Sequence, residues 1–129
     1  MNAIETENPI QDNDQLERIQ LRVDNGLDIR FHGVRLARIG GRVSSEKNEE
    51  AHRRYRYGEP ISELSLYRTQ SGVYVCKRVE TRLHEYGIAR TFTAVTCETT
   101  DAIYEFFGFS RIAKALYHAA QMETFVFIN

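Results

Sequence analysis

A chain of 129 residues, 42% of them hydrophobic, is the size of one domain and long enough to bury an ordinary core. Its 17 basic and 18 acidic side chains leave a formal charge of -1, which argues against a whole-molecule polyanion binder and equally against an acidic nucleic-acid mimic. No apolar run nears the roughly 20 residues that span a bilayer and no basic-then-apolar leader opens the chain, so the expectation is a cytoplasmic protein of bacterial, phage or plasmid type.

The charge is unevenly spread. Residues 1–17 hold Glu5, Glu7, Asp12, Asp14 and Glu17 without a Lys or Arg. This acidic stretch, interrupted by Pro9, predicts a mobile arm over 1–15 ahead of a single α+β domain over 16–129. Ile19, Leu21 and Val23 alternate with Arg18, Gln20 and Arg22, the period of a half-buried strand. Asp24-Asn25-Gly26 then predicts a tight hairpin, because Asn and Gly both accept positive φ. Leu27, Ile29 and Phe31 make the returning strand. Past Phe31 the apolar phase slips to Val34 and Leu36, which places a bulge or bend at His32-Gly33.

Residues 44–59 are the most polar interior segment. They predict a connector, mostly loop with two helical turns capped by Ser44 or Ser45. Ile61–Thr69 and Val73–Glu80 read as a second hairpin. Leu64 and Leu66 share one buried face with Val73, Val75 and Val79 only if paired residue numbers sum to an odd value, which calls for a two-residue Ser71-Gly72 loop. That register sets Tyr67 opposite Cys76, Thr69 opposite Tyr74 and Ser65 opposite Arg78, all on an outward face. Residues 82–89 read as a loop, and Arg90–Cys97 as a Thr-rich strand.

Thr99 or Thr100 caps a helix through Phe107, with Asp101 in its first turn, and Gly108 ends it in the left-handed manner. Ser110 opens a second helix with Ile112, Leu116 and Ala119 on one face. The apolar tail Phe125–Ile128 predicts an edge strand or a segment packed over the core. The fold class is therefore α+β: an antiparallel sheet of two hairpins plus one further strand, with two short C-terminal helices packed on one face.

The runs SELSLYRTQSGVYVCKRVE and AVTCETTDAIYEFFGFSRIAKALY resemble those of small bacterial proteins of the EXLDI kind, over roughly residues 27–118. Such proteins pair a strand ending in Tyr-Arg-Thr, a Gly turn and a Tyr-Val-rich strand with a short helical C-terminus. The resemblance implies no activity.

Two groups of residues are candidates for binding. Arg53, Arg54, Tyr55, Arg56 and Tyr57 form a run of guanidinium and phenol groups, which can stack on unpaired bases while the charges track phosphates. Glu49 and Glu50 stand four residues before Arg53 and Arg54, so internal pairing competes with that use. The second group is Tyr67, Tyr74 and Arg78 on the outward face of the central hairpin, beside Thr91 and Thr93, and these residue types favour protein interfaces. Cys76 and Cys97 have no metal or redox spacing; they can pair if their strands are neighbours, but read first as buried free thiols. His32, His52, His84 and His118 lack metal-ligand spacing, so no metal, cofactor or catalytic set is assigned. A knot of Phe106, Phe107 and Phe109 around Gly108 reads as a corner of the core.

The expectation is a small non-enzymatic macromolecule-binding protein, of the type of a mobile-element-borne inhibitor or accessory factor. Its partner is another protein or nucleoprotein, with nucleic acid or a second copy of the chain as alternatives and no membrane. The second reading is a nucleic-acid-binding module using the arginines between 30 and 56. The third is a small enzyme built on Cys76 or Cys97 with His84 as base.

Overall fold

The computed structural model describes residues 16–42, 60–126 and 128. Its elements run β1 (Glu17–Leu21), β2 (Ile29–Arg42), β3 (Ile61–Thr69), β4 (Tyr74–His84), β5 (Gly87–Cys97), α1 (Thr100–Phe107) and α2 (Arg111–Ala119). The class is α+β. The five strands form one antiparallel meander in the order β1-β2-β3-β4-β5, and not two hairpins with a separate strand. The difference arises at 82–89, read as a loop. There β4 continues to His84 and β5 starts at Gly87, leaving only Glu85 and Tyr86 in the turn.

The β3–β4 register corrects the sequence reading by one residue. Leu66 pairs with Cys76, Tyr67 with Val75 and Arg68 with Tyr74, so paired numbers sum to an even value. The cause is a three-residue loop, Gln70-Ser71-Gly72. Gly72 N–H bonds the Thr69 carbonyl at 2.9 Å, Thr69 N–H bonds the Val73 carbonyl at 2.8 Å, and Gly72 takes φ +95°. This is a three-residue hairpin loop closed by a positive-φ glycine. The two-residue alternative assumed that the sheet buries one face.

β3 buries both. On the first face Leu64, Leu66, Cys76, Cys97 and Ala37 form one cluster with Ile103 and Phe107 of α1 and Ala113, Leu116 and Tyr117 of α2. On the second face Leu21, Tyr67, Val75 and Ala94 form another, with Ile19, Val23, Ile29 and Phe31 packed around it. The second cluster exists because the β1–β2 ribbon curls over the central strands until it meets β5. Asp24 N–H bonds the Phe92 carbonyl at 3.0 Å, and the Phe92 N–H returns to Asp24 Oδ2 at 2.8 Å. Arg22 grips Asp24 Oδ1 at 3.1 Å and lies 4.5 Å above the Phe92 ring. The sheet is thereby almost closed into a barrel. The connection that does this, residues 22–28, is longer than the Asn-Gly hairpin expected there, because Leu21 pairs with Ile29.

Two cores also explain the phase slip in β2. Phe31 belongs to the second cluster, whereas Leu36, Ala37 and Ile39 serve the first. The irregularity lies between Arg35 and Ala37, not at His32-Gly33. Gly33 instead permits a close approach of strands, since a β-carbon there would collide with the Arg68 carbonyl and touch Thr69 Cα.

Thr99 caps α1 by accepting from Ala102 N–H at 3.2 Å, and Ser110 caps α2 by accepting from Ala113 N–H at 3.2 Å. The buried side of α2 is Ala113, Leu116 and Tyr117; Ala119, expected on it, is exposed. Gly108 adopts φ 79°, ψ -157°, which is not the left-handed helical cap but a region essentially closed to other residues. The end of α2 is a Schellman arrangement: Met122 N–H bonds the Tyr117 carbonyl at 2.8 Å, Gln121 N–H bonds the His118 carbonyl at 3.0 Å, and Gln121 sits at φ 64°. The described residues of the tail are not packed as expected, since Phe125, Val126 and Ile128 are 70%, 83% and 83% exposed.

These two helix ends predict shifts of opposite sign. Gly108→Ala meets no steric obstacle, so its cost of about 1–3 kcal/mol is backbone strain alone. Gln121→Gly relieves a left-handed non-glycine residue and gains up to about 1 kcal/mol. Urea midpoints at unchanged m values measure both.

Candidate functional site

Arg53, Arg54, Tyr55, Arg56 and Tyr57, together with the connector 44–59 and the arm 1–15, lie outside the described residues. The second group does not form one outward surface. Tyr67 is 6% exposed, in the second core, its ring edge-on to Phe31 at 5.5 Å. Tyr74 and Arg78 lie on the first face, and both are engaged. Arg78 donates to the Phe106 carbonyl and lies 4.4 Å over the Phe106 ring, while Arg68 donates to the Tyr74 hydroxyl at 3.3 Å and lies 5.2 Å over its ring. The one-residue change of register turns Tyr74 and Arg78 to the face of Leu64 and Leu66, away from Tyr67, and the β1–β2 ribbon covers the face that Tyr67 keeps.

Among the arginines between 30 and 42 the same internal use recurs. Arg30 donates to Gln20 Oε1 at 3.0 Å, Arg38 to Glu63 Oε2 at 2.5 Å, and Arg42 also has a partner. The guanidinium of Arg38 holds the Glu63 carboxyl below the usual carboxylate range, with Lys77 and Arg35 adding to the effect.

The thiols and the histidine of the enzyme reading are far apart. Cys76 and His84 both lie on β4, eight residues from one another, which at about 3.3 Å per residue is some 26 Å. Cys76 and Cys97 are buried neighbours, with Sγ atoms 3.6 Å apart. Burial, then the neighbouring Cys97, pushes the Cys76 pKa well up, so its thiol stays protonated at neutral pH. Among the described residues no group of three or more His, Cys, Asp or Glu is placed to hold a metal, and no helix is long and apolar enough to cross a membrane.

Two features went unread in the sequence. One is a cleft of about 530 Å³ between the first sheet face and the ends of both helices, lined by Leu36, Leu66, Arg68, Tyr74, Tyr104 and Met122 among others. Arg68 Nε is buried there with no hydrogen-bond partner among the described residues. Tyr104 closes one side by donating to the Glu123 carbonyl at 2.7 Å. No local signal announces this cleft, because its walls come from strands and helices distant in the chain.

The other is the end of the β4–β5 hairpin. β3 accompanies β4 only as far as the Ile61–Thr81 pair, so Arg82 to Arg90 project as a two-stranded arm. Tyr86 is 93% exposed and Ile88 60% exposed at its tip. Gly87 marks a turn in the sequence, but the arm is legible only once the strands on either side are extended to it. Beyond Phe92, β5 pairs with β4 alone among the described residues. In an antiparallel strand the N–H and C=O of a residue point to the same side, alternating along the chain. Phe92 turns both outward to Asp24, so Ile88 and Arg90 present theirs outward as well.

No protein-family model, curated protein or solved structure matches the chain.

The Arg38–Glu63 pair carries a pH prediction. The folded carboxyl has the lower pKa, so the unfolded chain binds more protons on the acid side. The stability it contributes is present above the unfolded value near pH 4.3 and is lost as pH falls through the lowered one. Glu63→Gln therefore reduces stability slightly at pH 7, as befits an exposed pair, and the difference from wild type shrinks in paired thermal melts as pH falls below the unfolded value.

Proposed function

We propose that this is a small binding protein, acting by contact with another protein and not by turnover, and that the β4–β5 arm is its contact surface. The observation that carries the reading is the exposure of Tyr86 and Ile88 on an arm whose outer edge, at Ile88 and Arg90, pairs with no strand among the described residues. An exposed apolar residue beside an open strand edge is costly in water and prone to unwanted pairing unless a partner covers it. The complementary partner is an extended segment added as a sixth strand along β5. An apolar residue of that segment would face Ile88 and an acidic one Arg90, since both side chains lie on the same side of β5. The separation of His84 from the thiols, and the raised Cys76 pKa, weigh against a Cys/His enzyme.

The test is affinity capture with wild-type protein and with the double variant Tyr86→Ser/Ile88→Lys. The expected result is a defined protein partner bound by wild type and lost by about tenfold or more in the variant, which removes interface anchors. The melting temperature should stay unchanged, because both side chains are solvent-facing. Equal capture by the two forms rejects the arm as the contact. A nucleic-acid complex that dissolves between low salt and about 0.5 M salt would replace protein binding with the polyanion reading.

A further inference from the structure

We propose that Cys76 and Cys97 are an oxidisable dithiol site, which closes to an intramolecular disulfide between β4 and β5 when the protein meets a peroxide. Cys97 stands opposite Tyr74, and Cys76 opposite Val95, so the two cysteines are diagonal neighbours on the first face. Their sulfur atoms are already in contact at 3.6 Å. A bond requires a further approach of about 1.6 Å, to the roughly 2.05 Å of a disulfide. Diagonal neighbours stand about 7–8 Å apart, against the roughly 4.4–6.8 Å between Cα atoms that a disulfide spans, so closure also needs a small drawing together of β4 and β5. Leu66, Ile103, Leu116 and Tyr117 wall the pair in, all with no exposed surface. Two thiols held in contact inside such walls meet each other before they meet any other thiol, so closure within the chain outruns cross-linking between chains.

The chemistry balances with hydrogen peroxide as the oxidant. Cys97 is the less deeply buried of the two, at 3% exposed against 0%, and it ends β5 three residues before α1 begins. Opening of that junction lets a small peroxide reach it first. The Cys97 sulfur attacks one peroxide oxygen, the O–O bond breaks, and a sulfenic acid and one water result. The Cys76 sulfur then gives up its proton and attacks the Cys97 sulfur. The S–O bond breaks, and the departing hydroxide takes that proton to make the second water. Two thiols lose two electrons and two protons, and one peroxide becomes two waters. Arg78, two residues along β4 on the same face, favours the Cys76 thiolate, but burial opposes it more strongly, so the reaction is slow compared with that of an exposed thiol.

The bond would tie the end of β5 to β4 directly beneath α1. Tyr74, the partner of Cys97 in the ladder, and Thr100, the first residue of α1, both line the cleft beside Arg68. Oxidation therefore tightens one wall of that cleft.

The experiment treats folded, full-length protein with hydrogen peroxide and follows intact mass, titratable thiols and a non-reducing peptide map. The expected product loses about 2 Da and both thiols, and joins the Cys76 and Cys97 peptides. Its melting temperature rises by roughly 5–10 °C over the reduced form, from closing the loop between the two positions. Reduction restores the starting mass and melting temperature. Cys97→Ala, which keeps a small apolar side chain in the first core, should show no 2 Da loss. The proposal is overturned if folded wild-type protein only gains oxygen at the thiols without a linked peptide. It is equally overturned if the link forms only after denaturation, since the folded geometry would then not be what brings the sulfurs together.

Discussion

Burial of β3 on both faces is the constraint to which the remaining placements answer. A strand with one wet face tolerates an error of register at the price of a few exposed apolar groups. A strand whose alternate residues enter two different cores tolerates none, because a shift by one residue sends every side chain into the wrong compartment. Leu66 fits between sheet and helices; Tyr67 fits against Phe31 under the curled β1–β2 ribbon. Exchanging them would bring a phenol into the aliphatic pocket around Leu116 and leave a gap beside Phe31. The Gln70-Ser71-Gly72 turn holds the register by its length, and Gly33 by letting β2 approach the Arg68 carbonyl closely.

The distribution of arginines follows from the same crowding. A sheet covered on both sides and clipped nearly shut has many carbonyls, rings and carboxylates at its seams, and a guanidinium satisfies several at once. Arg22 joins the loop after β1 to Phe92, Arg78 fastens β4 to the end of α1, Arg68 braces Tyr74, and Arg38 spans β2 and β3. Among the described residues these four arginines act as internal fasteners. Among the described residues, large apolar groups are left in water: Tyr86 and Ile88 on the arm, Leu27 in the loop, Phe109 between the helices, and Phe125, Val126 and Ile128 in the tail.

Local features were legible where local chemistry decides them. Thr99 and Ser110 cap the helices, Gly108 ends the first, and the strand cores around Ile19, Leu64 and Ala94 lie where their alternation puts them. Legibility was lost where a residue answers to a distant one. Val34 and Leu36 look out of phase with Phe31 only while one core is assumed. Asp24-Asn25-Gly26 looks like a two-residue hairpin until Asp24 is seen to bond β5, 68 residues away. Glu85-Tyr86 looks like the middle of a loop because His84 and Gly87 carry no β-propensity, yet pairing along the whole of β4 and β5 carries them into the ladder. Candidate binding residues fared worst for the same reason. Whether Tyr67 and Tyr74 share a face depends on one residue of turn length, and the sequence offers no independent check on that.

The contact of Asp24 with Phe92 has one more effect, on what the molecule can be joined to. An unprotected strand edge invites growth without limit, since each added strand exposes a fresh one. Here the loop carrying Asp24 sits across the outer side of β5 and acts as a stop. If a guest strand paired along β5 from the arm's tip, this loop would leave it room only as far as Arg90. The same two hydrogen bonds that round the sheet toward a barrel also occupy the outer side of β5 at Phe92.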